Sequence, residues 1–221
     1  MSKKKAKKEK LSFYLRMHRR FAGFVRWLFR IRVHGVENLP EGGCILCSNH
    51  IDYPDALVLA ASVPREIRFL AKRELFRVPL IGGMLKKGDA IAVSRDSADV
   101  SAIRTVVEKA KGGDAVAIYP QGHRRKGKNP WDTEIKPGIA MMAYRSGVPV
   151  VPVCIQLKKQ KYAPFRVTNL YIGEPILYPF PSEAPGKRVY EDATKTYFRA
   201  VCALGGYLPP ALPEGETPCD K

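Results

Sequence analysis

A histidine and an aspartate stand five positions apart in the segment Cys47-Ser-Asn-His50-Ile-Asp-Tyr-Pro-Asp55. Near pH 7 a neutral imidazole can take a proton from a hydroxyl group. A carboxylate behind it fixes the tautomer and stabilises the imidazolium that forms. The preceding run Cys44-Ile-Leu-Cys47 reads as a buried strand. The segment from Asp52 to Asp55 reads as a helix start, with Asp52 as its cap and Pro54 in the first turn. The pair therefore sits where a strand turns into a helix, the place where open α/β sheets put their chemistry.

Three further segments are strands that end in polar or basic residues. They are Ala90-Ile-Ala-Val-Ser-Arg95, Ala115-Val-Ala-Ile-Tyr-Pro-Gln-Gly-His-Arg124, and Lys136-Pro-Gly-Ile-Ala140 leading into Val148-Pro-Val-Val-Pro-Val153. An arginine at a strand's carboxyl end, beside a glycine turn with backbone N–H groups facing outward, suits a phosphate, which the guanidinium fork binds through two oxygens. Gly122 to Lys128 has the glycine and lysine spacing of a nucleotide-binding loop. Asn129 stands where a magnesium-binding Ser or Thr belongs, however, and Pro130 stops the helix that must follow.

The elements that must position these residues alternate. Short β-prone runs cover Cys44–Cys47, Ile67–Ala71, Ala90–Val93, Ala115–Tyr119, Val148–Ile155 and Arg166–Ile172. Helical segments cover Pro54–Ser62, Ala98–Lys111 (capped by Asp96 or Ser97), Gly138–Ser146 and Arg188–Leu204. This alternation predicts an α/β fold with a mostly parallel central sheet flanked by helices. A chain of 221 residues, 45% of them hydrophobic, buries one sizeable core. Of the five cysteines, Cys44 and Cys47 form a C-x-x-C with no second ligand pair, so they read as buried small hydrophobes. The apolar runs fall short of the roughly 20 residues that span a bilayer.

Charge is concentrated at the start. Residues 1–31 hold eleven Lys or Arg against the single acid Glu9, a local net of +10 within the whole-chain +17. Tyr14, Met17, Phe21, Phe24 and Leu28 recur at helical spacing, with Arg16, Arg19, Arg20, Arg26 and Arg30 on the opposite side. A basic amphipathic helix with aromatics suits an anchor lying on an anionic lipid surface, the alternative being a helix that packs the stripe on its own domain beside a solvated Lys tail; a nucleic-acid arm would not need the apolar stripe. The expected organisation is a membrane-surface segment at 1–31, a catalytic domain at 32–208 and a loose tail at 209–221.

Taken in order, these segments resemble the 1-acylglycerol-3-phosphate acyltransferases of the glycerolipid acyltransferase superfamily. Asn49-His50 to Asp55 resembles that family's His-x-x-x-x-Asp block, and Gly88 to Arg95 its second block. Tyr119-Pro-Gln-Gly-His-Arg124 is similar to Phe-Pro-Glu-Gly-Thr-Arg, Val148 to Val153 to a proline-rich strand, and Lys72-Arg-Glu-Leu75 to a Lys-x-Glu-Leu element. The resemblance covers residues 32–178. It implies acyl transfer from a thioester, acyl-coenzyme A or acyl carrier protein, to the free hydroxyl of lysophosphatidate. His50 would be the base, Asp55 its orienting partner and Lys72 an oxyanion donor. Asn49, Arg95, Gln121, Gly122, His123 and Arg124 would contact the substrate. No metal or redox cofactor is implied, and the expected location is the cytoplasmic face of a membrane, as in a bacterial cell membrane. Gln121 and His123 replace the family's Glu and Thr. That leaves open another acceptor, such as glycerol 3-phosphate or a lyso-aminolipid, or an inactive lipid-surface module.

Overall fold

Two strands buried on both faces, Cys44–Ser48 (β2) and Ala115–Ile118 (β5), pair in parallel at the centre of the sheet, with Cys47 opposite Ile118. Continuous apolar runs of this kind belong in a parallel sheet covered by helices on each side. In the computed structural model, which describes residues 12–94 and 99–209, seven strands form one sheet. In chain order they are Ile31–His34 (β1), β2, Ile67–Lys72 (β3), Ile91–Val93 (β4), β5, Val150–Leu157 (β6) and Thr168–Ile172 (β7). Their spatial order is β1-β7-β6-β2-β5-β3-β4. The five from β6 to β4 run parallel, β7 is antiparallel to β6, and β1 is parallel to β7. The sheet is thus mixed and mostly parallel.

Alternation along the strands divides the core in two. Cys44 and Leu46 point to one face and Ile45 and Cys47 to the other. The first face is covered by Phe13–Leu28 (α1) and Asp55–Ser62 (α2), through Tyr14, Ala22 and Val25 of α1 and Val58 and Leu59 of α2. The second is covered by Val100–Lys111 (α4), Gly138–Ser146 (α5) and Lys187–Leu204 (α6), through Val106, Ile139 and Tyr197. A fully buried Val, Ile or Leu contributes about 1.5–3 kcal/mol. Chain direction leaves β2 for α2 on one face and β5 for α5 on the other. The carboxyl ends of these adjacent strands therefore flank the topological switch point, where a crevice opens.

Some local expectations shift. The side chain that caps α4 is Asp99, which accepts from Ala102 N at 3.0 Å, whereas Asp96 and Ser97 lie outside the described residues. Asp99 also accepts from Ser94 N at 2.9 Å and from Arg73, so one carboxylate ties the end of β4 to the new helix. Helix α2 starts at Asp55, and the Asp52 side chain accepts from the neighbouring Tyr53 N and pairs with Lys126 instead of capping the helix. In α1 the apolar stripe is split. Tyr14, Ala22 and Val25 pack inward, where a small and a β-branched residue let the helix lie close to α2, while Phe21, Phe24 and Trp27 face outward.

A further short helix, Ile81–Lys87 (α3), joins β3 to β4. It begins in a tight turn in which Ile81 N donates to Pro79 O at 2.7 Å around Leu80, whose φ is 64° and ψ −53°. This is a γ-turn of positive φ, rare for a branched side chain and costing on the order of 1–3 kcal/mol. Gly82 fixes the turn: a Cβ there would meet Phe76 O at 2.2 Å, so only glycine lets α3 approach the preceding segment this closely.

Candidate active site

His50 lies two residues past the end of β2, at the crevice between the carboxyl ends of β2 and β5. Its Nδ1 lies 2.7 Å from Asp55 Oδ2. A carboxylate only accepts, so Nδ1 carries the proton and Nε2 is left as the basic nitrogen. The ring stacks on Tyr119 at 4.3 Å with planes 19° apart, which fixes its orientation from the β5 side. The Tyr119 hydroxyl is buried with no hydrogen-bond partner among the described residues, and burial pushes its pKa up.

Asp55 is fully buried yet completely bonded. Its Oδ2 accepts from His50, from Ile51 N at 2.6 Å and from Asp52 N at 3.0 Å, and its Oδ1 accepts from Tyr162 at 2.7 Å. Its place in the first turn of α2 adds the favourable end of the helix dipole. Burial and the adjacent carboxylate push the Tyr162 hydroxyl far above the usual tyrosine range, so it stays a donor. The carboxylate is thereby met by four donors, in the geometry of a base-orienting group.

Two amides brace the same segment. Asn49, with no exposure, donates to Ile155 O and accepts from Ile155 N, both at 2.8 Å. It acts as one more rung between β2 and β6 where β2 leaves the sheet. Gln121 is 2% exposed; its Oε1 accepts from His50 N at 2.6 Å and its Nε2 donates to Thr133 at 2.7 Å. Both amides, expected from the sequence at the substrate, are occupied in holding His50 in place. The glutamine thus provides what its position needs, one acceptor and one donor.

The loop after β5 folds over this pair. Arg125 N donates to His50 O at 2.8 Å, Lys126 pairs with Asp52 at 2.8 Å, and the Arg124 guanidinium lies 3.5 Å above the exposed Tyr53 ring. Lys126 holds the Asp52 carboxyl below its usual range. Gly122 adopts φ +68°, and a Cβ there would meet the Lys136 side chain at 3.2 Å. His123 is exposed beside it. The Arg125 Nε is buried with no acceptor among the described residues. Together these groups place several cations beside the His–Asp pair, an arrangement suited to an anionic substrate group.

The remaining sites are less closely joined. Lys72 ends β3, two strands from β2 on the same edge of the sheet, and its ammonium lies 3.5 Å from Glu74. Arg95 lies outside the described residues. Tyr162 and Thr133 were not legible beforehand, because nothing near either residue signals a partner 107 or 12 positions away. Tyr119 belongs to the segment that ends in Arg124, but only the fold shows its ring against His50. The cysteines Cys44, Cys47, Cys154 and Cys202 are buried and free; the thiol of Cys44 is pushed up to about 11 by burial. Among the described residues no helix is long and apolar enough to cross a membrane.

The sequence matches the family model described as Acyltransferase over residues 30–156. That span contains His50, Asp55, Lys72, Arg95 and Gln121 to Arg124, but not Tyr162. The chain is 32% identical over 150 residues to a 1-acyl-sn-glycerol-3-phosphate acyltransferase of Bacillus subtilis, covering 66% of this chain and 73% of that relative. It is 32% identical over 139 residues to the enzyme of the same name from Borreliella burgdorferi, of whose length it spans about half, 53%. In structure it is similar to the 1-acyl-sn-glycerophosphate (LPA) acyltransferase PlsC of Thermotoga maritima. The TM-score is 0.64 at 22% identity, covering 89% of this chain and 80% of that one, which supports the shared fold.

Proposed function

The chain belongs to the acyltransferase family that includes the 1-acyl-sn-glycerol-3-phosphate acyltransferases, and from that premise we propose how it works: it moves an acyl group from a thioester to the free hydroxyl of lysophosphatidate, giving phosphatidate. The observation that carries the mechanism is the buried, fully bonded Asp55 behind the imidazole of His50. In the proposed step His50 Nε2 removes the hydroxyl proton while the substrate oxygen bonds to the thioester carbonyl carbon. The resulting oxyanion is met by nearby donors, with Lys72 and backbone N–H groups as candidates. Collapse re-forms the carbonyl, breaks the C–S bond and releases the thiolate, which takes the proton back from the imidazolium. No covalent acyl-enzyme is needed, and no metal or redox cofactor is invoked. The donor is acyl-coenzyme A or acyl carrier protein.

The acceptor phosphate would lie against Arg124, with Arg95 and the Gly122 turn. We expect Arg124→Ala to raise the KM for lysophosphatidate about tenfold while leaving the KM for the acyl thioester unchanged. Arg124 is exposed, so its charge-assisted bond sits at the weak end of the usual range. Unchanged acceptor dependence would move the phosphate to Arg125, whose Nε lacks an acceptor among the described residues.

An insoluble acceptor requires the enzyme to work at a lipid surface. The outer aromatics of α1, with Trp27 61% exposed, and the basic start of the chain make an anionic membrane the proposed location, with the protein peripheral on its cytoplasmic side; nucleic acid is not a proposed partner. The deciding assay incubates purified protein with labelled acyl thioester and a panel of lysophosphatidate, glycerol 3-phosphate and lyso-aminolipid acceptors. Labelled phosphatidate as the dominant product is expected. Product from another acceptor, or none, would overturn the assignment.

A further inference from the structure

A second apolar prominence lies apart from α1 and from the His–Asp pair. Leu80 is 91% exposed at the tip of the turn between β3 and α3, and Leu75, Val78, Ile81 and Met84 around it are also exposed. A tip of this kind is destabilising in water on two counts, an uncovered leucine and a backbone held at positive φ. It is nevertheless built firmly. Gly82 N bonds Val78 O at 2.8 Å, Met84 N bonds Leu80 O at 3.0 Å, and Gly82 is seated against Phe76. Exposed Arg77, Lys86 and Lys87 surround it, and residues 72–87 contain five Lys or Arg and one acid, Glu74.

Topology places this tip where it would matter. The turn leaves the carboxyl end of β3, the same sheet edge from which His50 leaves β2. Phe165, exposed and stacked edge-on at 5.0 Å against Trp27, lies at that edge too, just before the start of β7. Lys87 sits 5.8 Å over the Phe13 ring, so α3 borders α1 on one side of the sheet. Apolar tips therefore project from several elements around one edge, with cations between them. That combination matches an anionic bilayer surface, apolar tips below the headgroups and lysine or arginine among them.

We propose that the Pro79–Ile81 turn is a second membrane contact: Leu80 inserts into the acyl region of an anionic bilayer and, with the outer face of α1, sets the His50 edge against the lipid surface. This rests on the membrane-surface reading above and adds to it a specific inserting residue.

The test uses the full chain and vesicles of phosphatidylcholine with phosphatidylglycerol. Co-sedimentation of Leu80→Asp should show a partition coefficient at least about tenfold below wild type, the ratio expected when a leucine no longer leaves water. The control is Leu177→Asp, another highly exposed leucine (73%) next to Ile176, which bridges to the start of β6 at the opposite edge; it should bind as wild type does. In a second arm Leu80→Trp should add fluorescence quenching by lipids brominated on their acyl chains. Partition by Leu80→Asp equal to wild type, or no added quenching, would overturn the proposal. So would loss of binding to an acidic protein, such as acyl carrier protein, with vesicle binding intact. A third arm separates this from the assigned reaction: with a short-chain, water-soluble lysophosphatidate Leu80→Asp should turn over as wild type does. If wild type itself shows no acyl transfer there, the assigned reaction fails, while the vesicle arms still decide the role of Leu80.

Discussion

Replacing His50 with alanine is expected to lower acyl-transfer turnover by about 10²–10⁴-fold, which corresponds to roughly 3–5 kcal/mol of barrier. The fold should survive, because the backbone of residue 50 keeps its bonds to Gln121 and from Arg125 N. Asp55 also keeps three of its donors, Ile51 N, Asp52 N and Tyr162, so the substitution leaves no unpaired buried charge. The measurement is steady-state turnover with lysophosphatidate beside a thermal unfolding curve. Retention of more than about half the wild-type rate, worth only about 0.4 kcal/mol, would remove His50 from the role of base.

Asp55→Asn is expected to cost nearly as much, again about 10²–10⁴-fold in turnover with little change in KM. An asparagine can turn its oxygen toward His50 Nδ1 and the two backbone N–H groups, and its NH₂ toward the oxygen of Tyr162. Packing is therefore preserved, and what disappears is the negative charge that stabilises the imidazolium. Asp55→Ala tests something different. It leaves the buried N–H of Ile51 and the partly buried N–H of Asp52 without their acceptor and should lower stability by about 1–3 kcal/mol for the buried group, less for the other. Turnover of Asp55→Asn within tenfold of wild type would mean that the carboxylate only shapes the loop.

The residues that could be read in advance were those whose signal is local. His50 and Asp55 share one short segment, and the apolar runs at β2, β5 and β6 carry their own burial pattern. Helix α3 was not among the expected helices, because Pro79, Gly82 and Gly83 break the helical signal; in the fold they build a tight turn and a close helix approach. The cap of α4 was misplaced because several capping residues follow one another, and only tertiary contacts with Ser94 and Arg73 select Asp99. The α1 stripe was drawn from the helical spacing of its apolar residues, Tyr14, Met17, Phe21, Phe24 and Leu28. Its inner face is decided by how closely a helix can lie on α2, which favours Ala22 and Val25 over Phe21 and Phe24. Gln121 was read as a substrate contact; its burial and its bonds to His50 N and Thr133 become visible only in the fold.

The supports of His50 have a kinetic consequence for the assembly of the protein. The histidine and aspartate are five residues apart, yet the bonds that hold them reach much further along the chain. They span 71 positions to Gln121, 106 from Asn49 to Ile155 and 107 from Asp55 to Tyr162. Closing loops of that length precedes any gain from the contacts they bring, and parallel strand pairing is correspondingly slow. During refolding α2 and the first hairpin-length contacts can form early, but the imidazole is not held until β5 and β6 have docked on either side of β2. Catalytic competence should therefore return in the slowest folding phase, after most helical signal has recovered. A nascent chain that has not yet emitted residue 162 carries His50 and Asp55 without the tyrosine that completes their support.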